Sequence, residues 1–171
     1  MVTKLPFGTG VDGEAASLFK IENADGSYAA ITDYGATVTE IVVPDKNGKL
    51  RNVVMGHGDV QGYQKAGGFW GATIGRVGNR LGASQFEIGG KTYKVLANDG
   101  PNHLHGGAKG FDKRMWEGEI VGDNAVRFSR VSPDGEEGYP GTLTVSVTFT
   151  FDAEHRLTLA YHAVSDADTL C

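Results

Sequence analysis

Cysteine is almost missing from this chain: Cys171 is the only one, so no disulfide can form within it. That excludes a disulfide-stapled secreted scaffold and makes a reducing, cytoplasmic setting the expectation. Prolines are few, five in 171 residues, which argues against a proline-rich linker. No stretch approaches the roughly 18 consecutive apolar residues of a membrane span. The opening Met1-Val2-Thr3-Lys4-Leu5-Pro6 lacks the apolar core of a secretory leader, and none is expected. Basic charge is short as well: 16 Lys and Arg against 21 Asp and Glu leave a net charge of −5. A nucleic-acid partner needs a basic stripe, and there is none. Neither G-x-G-x-x-G opening a helix nor G-x-x-x-x-G-K-[ST] occurs, so nucleotide binding has no support. The G-x-S-x-G elbow of a serine hydrolase is also missing.

What is abundant is glycine, 26 residues, about twice the usual share near 7%. The glycines are dispersed between short runs that alternate with period two, which marks turns between strands. Thr142–Phe151 is the clearest run. Leu143, Val145, Val147, Phe149 and Phe151 share one face, and threonines and Ser146 occupy the other. Asp152–His155 turns the chain, and Leu157, Leu159, Tyr161 and Ala163 repeat the pattern, which predicts a long antiparallel hairpin. His162 falls on the polar register of that second strand. Further strands are predicted at Ser17–Glu22, Ser27–Thr32 and Thr37–Val43, with a turn at Pro44–Gly48. Ser84–Ile88 and Lys91–Leu96 flank Gly89-Gly90, and Trp116–Val121 and Ala125–Val131 flank Gly122-Asp123-Asn124, giving two more hairpins. No window of 11 or more residues sustains helical spacing, and no helix is predicted. The length suits one domain, residues 1–171, of all-β antiparallel type.

Polar clusters interrupt the strands in two places. Arg76 and Arg80 flank Asn79 in Gly75-Arg76-Val77-Gly78-Asn79-Arg80. A guanidinium offers a planar fork of donors to oxygen ligands, and a carboxamide both gives and accepts. Gly71, Gly75, Gly78 and Gly82 remove side-chain bulk from this segment, so that something can approach its backbone closely. A surface or loop-bracing ion pair is the plain alternative for either arginine. The second cluster is Asn102-His103-Leu104-His105-Gly106-Gly107. In extended backbone the two imidazoles would share a side. They could then be metal ligands, one catalytic and one bystander, or both structural. A metal site lacks a matched third ligand, and the tightly shaped loop favours one aimed histidine. Asp134–Gly141 reads, by composition, as a solvated acidic loop.

Taken in order, these pieces resemble the aldose 1-epimerase (galactose mutarotase) family. The resemblance runs through Ile31–Val38, Pro44–Gly48, Gly75–Arg80, Pro101–Gly107, Gly110–Lys113 and Asp134–Gly141. It implies an antiparallel β-supersandwich and an activity that interconverts the α and β anomers of free hexoses such as galactose and glucose. It implies that Asn79 and Arg80 bind the sugar and that His105 is catalytic, with no cofactor and no metal. His103 falls where the family varies, and Gly78 stands where alanine is common.

Anomerisation needs a proton taken from the C1 hydroxyl and one supplied to the ring oxygen, after which the open chain rotates and recloses. In the family, a further half beyond the segment matching Ala167-Asp168-Thr169 carries a second histidine, a sugar-binding aspartate and the general-base glutamate. The resemblance covers nearly all of this chain but only about the N-terminal half of the family's length. The expectations are therefore a partial sandwich, impaired catalysis for want of a base, and self-association through bare strand edges. A non-catalytic carbohydrate-binding module, a truncated product and a metal-dependent enzyme on His103 and His105 are the alternatives.

Overall fold

The computed structural model describes all 171 residues. Alternation dictates two sheets. The first contains β1 (Val2–Thr9), β2 (Ala15–Glu22), β3 (Tyr28–Thr32), β4 (Thr37–Pro44) and β5 (Leu50–Asn52), antiparallel and in that spatial order. The second contains β10 (Glu117–Gly122), β11 (Ala125–Ser132), β12 (Leu143–Phe151) and β13 (Leu157–Ser165), again neighbour to neighbour. Between them in sequence lie two short ladders. β6 (Arg80–Leu81) pairs with β9 (His103–Leu104), and β7 (Gln85–Ile88) pairs with β8 (Lys91–Lys94).

The apolar faces of the two sheets meet. Phe19, Ile21, Ala29 and Ile31 come from the first, and Val126, Phe128, Leu143, Val145, Val147, Phe149 and Phe151 from the second. Phe19 meets Phe128 edge-on with centroids 5.2 Å apart, and Phe128 meets Phe149 at 5.8 Å. Burying each ring stabilises the fold by roughly 1.5–3 kcal/mol. Gly118 lies against this layer, where a Cβ would strike the rings of Phe19 and Phe128.

Two elements depart from the expectation, and a third, the expected hairpin strand β13, is barer than its partner. β1 was not foreseen, because only Phe7 of its eight residues is buried and its pattern carries no alternation. It is an edge strand, where Pro6 is tolerated. A helix, α1 (Val60–Ala66), also exists. Two turns are too short to show helical periodicity, and what starts it is a cap: Asp59 Oδ1 accepts from the Gly62 amide at 2.7 Å. Its Val60 packs with Phe7, Ala16 and Tyr34 in a satellite core. Finally, β13 is exposed on both faces although its pattern matches that of β12. Leu159 and Tyr161 pair with Phe149 and Val147, but the first sheet does not reach over them. No helix is long and apolar enough to cross a membrane.

Candidate functional site

The β6–β9 ladder brings the two polar clusters together. Arg80 sits opposite Leu104 and Leu81 opposite His103. Beyond the ladder the loops are laced backbone to backbone. The His105 amide donates to the Asn79 carbonyl at 3.0 Å, and the Phe111 amide donates to the Gly75 carbonyl at 3.2 Å. Gly106 packs so closely on the Gly75 carbonyl that a Cβ there would overlap it. The space these glycines leave, expected to admit a ligand, is thus used partly by the protein itself, since Gly75 faces the Phe111 ring.

Asn79 and His105 both adopt positive φ, 60° and 51°. Left-handed backbone turns His105 out of the strand's alternation, so the two imidazoles of the H-x-H do not share a side. They go to different surroundings. The Asn79 amide donates to His105 Nδ1 at 2.9 Å. Nδ1 is therefore the acceptor, and in the neutral ring the proton resides on Nε2. Phe69 braces the ring with centroids 4.5 Å apart. His103 is fully buried, with Nδ1 2.7 Å from the Leu96 carbonyl and Nε2 2.7 Å from the Tyr139 hydroxyl. Three of the four imidazole nitrogens are committed to protein, so the pair cannot chelate one metal ion, and the metal alternative is discarded on geometry.

The two arginines also part. Arg76 is buried and spends its donors on scaffold. Nε bonds the Ser132 hydroxyl, and the two amino groups bond the carbonyls of Ser132, Pro133, Pro140 and Gly141 and the Thr169 hydroxyl at 2.8–3.1 Å. Burial pulls its pKa down, and the nearby Glu136 carboxylate opposes that pull. Arg80 is exposed. Asp99 Oδ2 fixes its Nε at 2.6 Å, and Asn79 Oδ1 lies 3.4 Å from Nη1. Its Nη2 group bonds to no protein atom and is free for a ligand oxygen.

The acidic segment 134–141 is not the solvated loop expected. Glu136 takes both amino groups of Arg130 at 2.8 and 2.9 Å, the Ser132 hydroxyl, and Arg114 at 3.1 Å. Burial alone would raise its pKa, but these hydrogen bonds and the two cations hold it below the usual carboxylate range. Glu137 accepts from the Ala108 and Lys109 amides, both at 3.1 Å, and so pins the loop that follows His105.

Asn79, Arg80 and His105 thus converge, with Asn79 and Arg80 exposed and His105 half-buried. They form an open shelf, whereas small-molecule sites usually enclose most of their ligand. Sequence reasoning missed Asp99 and Phe69. Asp99 could have been noticed in its Asn-Asp-Gly-Pro turn, and nothing in the sequence pairs Phe69 with His105. The shelf presents two kinds of donor, a guanidinium and an imidazole N–H, beside a carboxamide, which suits a polyhydroxy compound.

The sequence profile of the aldose 1-epimerase family matches residues 17–171. A galactose mutarotase of Bos taurus is 42% identical over 165 residues, covering 96% of this chain and 46% of that protein. An aldose 1-epimerase of Haemophilus influenzae is 39% identical over 158 residues, covering 92% and 46%. Among solved structures, an aldose epimerase homologue from C. elegans superposes with a TM-score of 0.85 at 34% identity, covering 91% of this chain and 48% of that one. A galactose 1-epimerase from Lactobacillus acidophilus gives 0.84 at 28% identity, covering 99% and 50%. The chain spans about half the length of the curated relatives it matches. Profile, identity and superposition together place this chain in the aldose 1-epimerase family.

Proposed function

We propose that residues 1–171 act as one unit that holds a free hexose, such as galactose or glucose, on the Asn79, Arg80 and His105 shelf and promotes interconversion of its anomers. One observation carries this reading: the Asn79 amide bonds His105 Nδ1, which leaves Nε2–H as an unengaged donor. In anomerisation, negative charge develops on the ring oxygen as its bond to C1 breaks. Water can take the C1 hydroxyl proton and return one to the ring oxygen, and a donor placed there lowers the barrier by stabilising the developing charge. His105 is suited to that role, because a neutral imidazole donates a hydrogen bond readily and releases its proton poorly. Arg80 Nη2 and the Asn79 side chain would grip neighbouring hydroxyls. The single cysteine is consistent with a reducing, cytoplasmic setting.

The shelf offers no free carboxylate as a base, since Asp99 is paired with Arg80. The reading therefore expects hexose binding with weak acceleration. A carbohydrate-binding module without catalysis is the second reading, and the openness of the shelf favours it. The uncovered β13 edge supports self-association: Leu157–Ser165 contains no Lys, Arg, Asp, Glu or Pro to blunt it.

Polarimetry of freshly dissolved α-D-galactose and α-D-glucose, with and without the chain, tests the proposal. Acceleration that disappears in His105→Ala supports mutarotation. No acceleration, with galactose still shifting the amide NMR signals of Asn79 and Arg80, selects the binding module. Neither effect would end both readings.

A further inference from the structure

The reading above leaves His103 without a task, although its ring is completely bonded. A carbonyl can only accept, so the 2.7 Å contact with the Leu96 carbonyl places the proton on Nδ1. Nε2 is then a lone pair, and the Tyr139 hydroxyl donates to it at 2.7 Å. Burial raises the Tyr139 pKa, which keeps the phenol protonated and able to donate. The Tyr139 ring is held in turn. Phe86 stacks on it at 5.8 Å, and the Arg76 guanidinium lies 5.7 Å from its centroid. Arg76 is the residue that gathers the carbonyls of Ser132, Pro133, Pro140 and Gly141. An unbroken series of contacts thus runs from that buried clamp, through Tyr139 and His103, into β9.

β9 is only two residues long, so its ladder with β6 cannot fix its own orientation. His103 supplies the missing restraint from below, and Asn98 supplies one from above by bonding both the amide and the carbonyl of Leu104 at 2.7 and 2.9 Å. His105 follows directly. A small rotation of β9 would carry His105 Nδ1 away from the Asn79 amide and shift Leu104 against Arg80.

We propose that His103 and Tyr139 are positioning residues: their buried hydrogen bond orients β9, which keeps His105 with Nδ1 on the Asn79 amide and Nε2–H facing the ligand. Neither residue touches the sugar. The inference rests on the hexose reading only for its binding readout. Its structural readout, the tautomer of His105, stands apart from any ligand.

Three variants separate positioning from bulk stability. Tyr139→Phe deletes one hydroxyl and keeps the ring on Phe86 and Arg76. His103→Leu deletes both imidazole bonds. His103→Gln offers an amide N–H to Leu96 and an amide oxygen to Tyr139, and is the rescue. Long-range proton–nitrogen NMR of His105 reports which ring nitrogen carries hydrogen, and a galactose titration reports affinity. Wild type is expected to show a single Nε2–H tautomer. Tyr139→Phe and His103→Leu are expected to show mixed tautomers and about tenfold weaker galactose binding, equivalent to ~1.4 kcal/mol. His103→Gln is expected to restore both. A folded Tyr139→Phe that keeps the wild-type tautomer overturns the proposal, and it suffices alone if His103→Leu does not fold. If the wild-type chain binds no galactose, the hexose reading falls while the tautomer comparison still decides this one.

Discussion

Two regions a few ångströms apart use the same side chains in opposite ways. Beneath the loops, Arg76, His103 and Tyr139 are buried and Glu136 is half-buried, and nearly every donor finds an acceptor. On the shelf above, Asn79, Arg80 and His105 are bonded only enough to be aimed, and each leaves a polar group free. Arg76 and Arg80 are four residues apart, and His103 and His105 two. The difference shows that chemical type and spacing nominate candidates, while burial decides which member of each pair is left open to a ligand. It also shows why the exposed members can be precise. Long polar side chains in water are mobile, and the buried set below removes that freedom from the backbone that carries them.

The sharpest way to break the contrast is Arg76→Ala. It removes the guanidinium that donates to four carbonyls, and a loss of about 3–5 kcal/mol in urea unfolding is expected. A loss below 1 kcal/mol would mean that the clamp is not structural. Next comes Glu136→Gln, which weakens hydrogen bonds to cations and should cost about 2 kcal/mol. Its signature is pH. Glu136 has its pKa lowered by folding, so its stabilisation is present above the unfolded value near 4.3 and is lost as pH falls through the folded one. Melting temperatures from about pH 6 down to 3 should therefore fall more steeply for wild type than for Glu136→Gln; parallel curves would exclude the carboxylate as the cause.

On the shelf the expectation reverses. Arg80→Ala and His105→Ala should change unfolding by less than about 0.5 kcal/mol. Galactose affinity should nevertheless drop about tenfold in each, or ~1.4 kcal/mol by isothermal titration. Unchanged affinity in both would move the sugar elsewhere. The smallest effect extends the comparison to the sheets. β12 and β13 share a pattern, yet one is covered and the other bare. Tyr161→Lys should leave stability within about 0.5 kcal/mol and shift sedimentation velocity toward monomer. A wild type already monomeric at high concentration would sink the edge-pairing idea.

Much of this molecule was legible in its residues. Leu143 to Phe151 announced a covered strand, and the Gly89-Gly90 pair announced a hairpin, because a half-buried strand and a positive φ both leave local marks. The family's motifs likewise nominated Asn79, Arg80 and His105, whose two segments the β6–β9 ladder brings together. β1 left no mark because an edge strand need not alternate, and α1 because a cap rather than a face defines it. β13 is the hairpin strand that its alternation announced, but alternation tells which side of a strand is apolar and not whether anything lies over it. The acidic turn misled for a related reason. Glu136 meets Arg114 and Arg130 only after the chain has folded back, and no local pattern reports a partner that arrives from elsewhere.

Asn79 and His105 sit where the backbone favours glycine. A library varied at both positions and sorted only for resistance to heat should drift toward glycine there. Sorted instead for retention on an immobilised galactose column, the same library should return asparagine and histidine. The two enrichments, set side by side, would measure how far this fold departs from its own most comfortable sequence for the sake of the proposed ligand.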